Sequence, residues 1–170
     1  QLTDLIRYAN ELIDPYQPRQ VVIYCGENDV AAADTLQVKT VVNRFQTLFG
    51  ILRQKLPQAQ ISFVSMKPSP SRRKYWPKMI AANKAISAFL KTRPNTAFVD
   101  VYPLMLNGKA QPKPEIFKAD SLHMNERGYV IWQKAIEPAL VKSDRKRFVD
   151  ALLQKMTLEE KIGQLNLVVG

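Results

Sequence analysis

The chain has one histidine, His123, and Asp120 stands three residues before it in "DSLHMNERGYVIW". Positions i and i+3 of a helical turn face the same way. In such a turn the Asp120 carboxylate can accept the imidazole Nδ1–H, which fixes the tautomer and leaves Nε2 as a general base. A second cluster follows the apolar run in "VVIYCGENDV", where Gly26, Glu27, Asn28 and Asp29 succeed Val21 to Cys25. A carboxamide held at a strand end, as Asn28 would be, can donate to a developing oxyanion. Gly26 beside it allows a substrate to come close to the backbone. Asp29 is expected to brace the loop, and Glu27 is given no chemical step. Each motif also has a plain reading: Asp-x-x-His as an N-cap with a surface histidine, Gly-x-Asn-Asp as a turn.

The elements that must carry these groups are read from periodicity. Leu2, Leu5, Ile6, Ala9, Leu12 and Ile13 fall at helical spacing up to Asp14-Pro15. "VVIYC" (21–25), "ISFVSM" (61–66) and "AFVDV" (97–101) are short apolar runs of the kind found in strands buried on both faces. A polar loop follows the first strand. Val41 to Leu56 and Met79 to Leu90 have helical spacing and separate the strands, and Tyr129 to Leu140 closes the series after a long loop over 103–122. Alternation of this kind predicts an α/β fold with a parallel sheet and helices on both faces. Ligands of such sheets bind at the carboxyl ends of the strands, which is the edge both polar clusters reach. Three strands are few for this architecture, and the chain opens on a helix. One or two strands, and the true start of the protein, are therefore expected upstream.

Composition narrows the choices. With one Cys, Cys25, an internal disulfide is impossible, and one Cys with one His cannot assemble a zinc site of the usual type. No apolar run approaches the ~20 residues that cross a bilayer, so the chain reads as soluble, with no membrane partner. No basic leader precedes an apolar segment at the start. The net charge of +10 raises the question of a polyanion. The most basic stretch, "KPSPSRRKYWPK" (67–78), carries Tyr75 and Trp76, which could stack on bases. The plain reading, a basic loop entering a helix with its aromatics turned to the core, is preferred because no nucleic-acid motif accompanies it.

"GENDV" resembles the Gly-x-Asn-Asp block of the SGNH (GDSL-type) esterases and acylhydrolases, and "DSLHMNERGYVIW" resembles their Asp-x-x-His block. The two occur in the family's order, with two strand–helix units between them. The resemblance covers residues 1–142 and implies a three-layer α/β/α, flavodoxin-like fold, truncated at its N-terminus. It implies His123 as general base, Asp120 as its orienting partner, Asn28 as oxyanion donor and Gly26 as the substrate-side turn, with no metal or organic cofactor. The family's nucleophilic Ser lies in a Gly-Asp-Ser block upstream of Gly-x-Asn-Asp. Residues 1–25 contain no serine and no glycine. The nucleophile is therefore expected outside this chain, which alone should be nearly inert as an esterase.

After a charged linker, 143–147, the segment "FVDALLQKMTLEEKIGQL" resembles the entry segment of family-3 glycoside hydrolases. Residues 148–170 are thus expected to begin a second domain as a helical appendage, with Thr157 to Glu160 forming a capping box. That fusion implies an esterase acting on acylated, for example acetylated, carbohydrate, and a secreted or periplasmic setting. The partner would be a small-molecule or oligosaccharide ester. The alternative is a non-catalytic domain on the same fold that binds sugar or polyanion.

Overall fold

The computed structural model describes residues 1–141 and 154–157, and divides the chain into two compact units, Gln1–Leu140 and Val141–Gly170. The expected helices of 148–170, their capping box and the apolar end "LNLVVG" lie outside the described residues, apart from 154–157.

The first unit is built on three parallel strands in the order β1–β2–β3: β1 (Gln20–Ile23), β2 (Gln60–Val64) and β3 (Thr96–Val99). Ile23 pairs with Phe63, and Phe63 pairs with Phe98. The central strand β2 is buried almost throughout because both of its faces are covered. Ile61 and Phe63 point into a core shared with helices α1 (Leu2–Arg7), α2 (Ala9–Ile13), α4 (Val38–Lys55) and α5 (Trp76–Lys91). Val64 points the other way, into a second core with Val99, Val101, Met105 and Trp132 of α6 (Glu126–Ile136). This is the α/β arrangement expected, with helices on both faces of a parallel sheet.

α4 is the main buttress. Its Val41, Phe45, Leu48, Phe49 and Leu52 form one buried stripe. The Phe45 ring meets Phe63 of the sheet edge-on at 4.9 Å between centroids, and Phe49 meets Phe89 of α5 in the same way at 5.2 Å.

Three details differ from the expected elements. The opening helix is broken at Tyr8 (φ −102°, ψ 16°) into α1 and α2. Where a polar loop was expected after β1, residues Glu27–Ala32 form a short helix, α3. Each strand also ends sooner than its apolar run. Past β2, Ser65 Oγ accepts the amides of Val101 and Tyr102 at 2.9 and 3.1 Å. The buried Met66 then has both its N–H and its C=O bonded to the Asn83 carboxamide of α5, at 2.9 and 3.0 Å. After a last cross-strand bond from the Ser65 amide to the Val99 carbonyl at 2.9 Å, side chains replace the ladder, and the chain turns out of the sheet while still inside the core.

Phe45→Ala should lower stability by about 3–5 kcal/mol, since a buried aromatic wedged between helix and sheet leaves a cavity when truncated. Urea unfolding followed by circular dichroism reads the loss.

Candidate active site

β1 and β2 run parallel and in register, so the residues that leave them emerge side by side. Gly26 takes φ +112° and starts α3; a Cβ there would lie 3.3 Å from Met66 Sδ, in a backbone region that side chains rarely adopt. The turn sends Glu27 inward. Glu27 is only 6% exposed, and both its oxygens accept from the Lys67 ammonium, at 3.1 and 2.8 Å. Ser69 Oγ adds a hydrogen bond at 3.0 Å, the Tyr24 hydroxyl donates to Oε2, and Arg72 Nε lies 3.8 Å from Oε1. Burial around the Tyr24 hydroxyl and the adjoining Glu27 carboxylate keep the phenol un-ionised far above its ordinary range. Asp29, fully buried, accepts the Leu2 amide at 2.9 Å and Arg44 Nη1 at 2.9 Å. It therefore braces more than its own loop, tying α3 to α1 and α4. Asn28, between these two buried acids, is exposed, and its Oδ1 accepts from Arg72 Nη2 at 2.6 Å.

The second cluster sits in a turn between the loop and α6. Asp120 Oδ2 meets His123 Nδ1 at 2.6 Å, while its Oδ1 accepts the amides of Leu122 and His123, each at 2.9 Å. The pair is joined as expected, by a different local structure. The segment is not helical: Ser121 adopts φ 55°, and the aspartate folds the turn around its own carboxylate. The His123 side chain is 67% exposed, and its Nε2 has no hydrogen-bond partner among the described residues. The His123 imidazole first, then the Leu122 and His123 amides, hold the Asp120 carboxyl far below the usual carboxylate range. Burial pushes the thiol of half-buried Cys25 up, which keeps it protonated and a poor nucleophile.

The turn is held from below by α6. Asn125 is the N-cap: its Oδ1 accepts Arg127 and Gly128 amides, and its Nδ2 donates to the Glu115 and Phe117 carbonyls. Gly128 lets the helix sit directly on this loop, since a Cβ there would lie 2.6 Å from the Ile116 carbonyl oxygen.

The basic stretch after β2 joins the clusters. Ser69 Oγ contacts Glu27 on one side and the Leu122 carbonyl, at 3.3 Å, on the other. Ser71 reaches the Ser121 carbonyl through both its amide and its hydroxyl, at 3.0 Å each. Asn28 and the Asp120–His123 turn are thus fixed to one segment, 69–72. Two further cations are bonded within the fold: Lys74 joins Tyr75 on the Asp34 carboxylate, and Lys78 bonds the carbonyls of Asp34 and Leu36, while the exposed Arg73 lies over the Trp76 ring. Tyr75 and Trp76 pack on the core, and Trp76 donates to the Ser69 carbonyl at 2.9 Å. This is the plain reading of the stretch.

Sequence reasoning did not single out Lys67, Arg72, Asn125 or Gly128. An Asn two residues past the histidine, at the head of an amphipathic run, is a legible cap signal. Nothing local points to the partners of Lys67 and Arg72. Of the serine hydroxyls, those of Ser62 in β2 and Ser65 just past it are buried acceptors, those of Ser69 and Ser71 donate within the loop contacts above, and Ser121 enters those contacts through its backbone carbonyl alone.

Gly128→Ala should cost about 1–3 kcal/mol, as overpacking does, and should move the chemical shifts of the 120–123 turn. The depressed Asp120 pKa carries a sign. Its contribution to the turn is present above the ordinary value near 3.8 and is lost only as pH falls through the lower folded value. In a carboxyl-carbon NMR titration, Asp120 should remain ionised at about pH 3, where unperturbed aspartates are mostly protonated.

Among the described residues no helix is long and apolar enough to cross a membrane, and no three His, Cys, Asp or Glu cluster in a way that could hold a metal ion. No curated protein matches the sequence. The fold is similar to a GDSL-like lipase from Bacteroides thetaiotaomicron, with 23% identity, TM-score 0.70, and coverage of 82% of this chain and 70% of that one. It is also similar to a family 3 carbohydrate esterase from Talaromyces cellulolyticus (15% identity, TM-score 0.67, covering 92% and 70%). A family 3 carbohydrate esterase from Clostridium thermocellum is alike at 18% identity and TM-score 0.59, covering 82% and 66%. These likenesses show the fold. The sequence profile of the GDSL-like lipase/acylhydrolase family matches residues 2–131, and the chain belongs to that family of ester-bond hydrolases.

Proposed function

We propose that these residues form the base side of a serine esterase site that removes acyl groups, acetyl foremost, from carbohydrate. The observation that carries the reading is the 2.6 Å contact between Asp120 Oδ2 and His123 Nδ1. In this reading His123 Nε2 takes the proton of a serine hydroxyl as it attacks the acyl carbon and gives it to the departing sugar oxygen, and then activates the water that takes the acyl group from the serine. Asp120 keeps the imidazole in the required tautomer and stabilises the imidazolium formed in each step. The Asn28 Nδ2–H donates to the oxyanion of the tetrahedral intermediate. The serine itself comes from a Gly-Asp-Ser block outside residues 1–170, and these residues alone hydrolyse esters at the background rate.

The carbohydrate part has its own support. The similar folds include proteins described as carbohydrate esterases. An open cleft of about 560 Å³ beside the His123 turn, which does not include His123 itself, is lined by Lys118, Met124, Asn125, Glu126, Arg127 and the exposed Tyr129 ring. An aromatic face among polar side chains suits a sugar. The wording of 156–165, "MTLEEKIGQL", supports fusion to a glycosidase for which acyl groups on the sugar are obstacles. A second reading, a sugar- or polyanion-binding domain without chemistry, is favoured by one observation: no described serine is hydrogen-bonded to His123.

The test is hydrolysis of 4-nitrophenyl acetate and acetylated xylo-oligosaccharides by the longest natural chain containing this sequence. His123→Ala should reduce kcat by about 10⁴-fold or more. Asn28→Ala should reduce it about 10²- to 10³-fold. A longest chain with no activity, or one indifferent to His123, leaves the binding-domain reading. Binding that falls steeply with salt would then identify a polyanion.

A further inference from the structure

Asn28 can aim its side chain in two ways, and only one leaves an N–H donor available. The choice is made by Arg72. Its Nη2 stands 2.6 Å from the Asn28 side chain, and a guanidinium has donors but no acceptor. The facing atom must therefore be Oδ1. Nδ2 is turned away from Arg72 and donates to nothing among the described residues. Asn28 itself lies on the exposed side of α3.

Arg72 is enclosed by its surroundings, with Nη1 buried and without a hydrogen-bond partner among the described residues, and its backbone is fixed. Its side chain is 17% exposed, and its Nε lies 3.8 Å from the buried Glu27 carboxylate. Its backbone amide donates to the Ser69 carbonyl at 3.0 Å, and the preceding residue, Ser71, is bonded twice to the Ser121 carbonyl. The segment that carries Arg72 is thus fixed to both candidate clusters, while the Asn28 side chain has Arg72 as its one hydrogen-bond partner among the described residues. A cation donating to the carbonyl end of an amide also draws density from its nitrogen, which makes the N–H groups stronger donors.

We propose that Arg72 is a positioning residue that locks the Asn28 carboxamide with Nδ2 outward and strengthens it as the oxyanion donor. The oxyanion role rests on the esterase reading above; the locking does not. The arrangement also explains why a cation stands in this stretch although the nearest acid, Glu27, already has Lys67.

The locking is read by NMR on the isotope-labelled protein, without turnover. In the native protein the Asn28 Nδ2 relaxation should be that of an ordered group. In Arg72→Ala the heteronuclear NOE of Nδ2 should fall toward values typical of free side chains, and the Asn28 Cγ resonance should shift. Arg72→Lys should restore part of both. Arg72→Gln, which keeps a donor without the charge, carries the same comparison if the alanine variant does not fold. An Asn28 side chain equally ordered, with an unmoved Cγ, in folded Arg72 variants would overturn the proposal.

The catalytic consequence is read in the longest natural chain. Arg72→Ala should lower kcat about 10- to 100-fold with KM changed by less than about 2-fold, and should add little to Asn28→Ala. An unchanged kcat in an active enzyme overturns the positioning role. If the native enzyme hydrolyses no ester, the esterase reading falls, and the NMR comparison alone decides whether Arg72 fixes the carboxamide.

Discussion

A buried carboxylate must be paired, and the candidate site is organised around that requirement. Glu27 leaves water at the end of β1, where a lone charge would be costly. It is made tolerable by Lys67, by Ser69, by the Tyr24 hydroxyl and by the nearby Arg72. All four groups lie on the segments that follow β1 or β2, so the ion pair can form only if the two strands are parallel and in register. Removing one partner of a buried pair is far worse than never having had the pair. The sequence therefore carries Glu27 and Lys67 as a unit, and the exposed groups, Asn28 and His123, are placed by what that unit fixes.

Packing supplies the rest of the frame. On one face Phe45 and its neighbours hold the sheet flat against α4, and Asp29 fastens α3 to α1 and α4. On the other face Gly128 and the Asn125 cap seat α6 beneath the Asp120–His123 turn. The Asp120–His123 pair thus sits on a short irregular turn whose ends regular elements hold. That division suits the proposed base, whose imidazole would have to meet a substrate while its partner carboxylate stays fixed. Asp120 achieves the second condition by accepting two backbone amides as well as the imidazole.

The long helices were legible because each buries a periodic apolar stripe, and the strands because each is a short continuous apolar run. α3 was not, because its buried positions include Glu27 and Asp29, residues that read as loop. The break at Tyr8 was also invisible, since Leu2, Ala9 and Ile13 fit one unbroken helical face. The strands were read too long for a related reason. Ser65 and Met66 are as buried as strand residues, yet beyond a last bond from the Ser65 amide to the Val99 carbonyl the Met66 backbone is satisfied by the Asn83 side chain rather than by the ladder. The charge of the basic stretch suggested a surface for a polyanion; the structure turns Lys67 and Arg72 inward toward Glu27 and pairs Lys74 with Asp34 at the surface.

What the sequence determined by itself is local. Asp120 and His123 are three residues apart, and almost any tight turn brings a carboxylate to an imidazole at that distance. Gly26 marks the turn that ends β1, and the order of motifs names the family. What only the tertiary structure decided is the relation between segments. Arg72 meets Asn28 across 44 residues, Lys67 meets Glu27 across 40, and Ser71 meets Ser121 across 50. No periodicity records such pairs, because they arise from strand register and helix seating, which depend on the whole core at once.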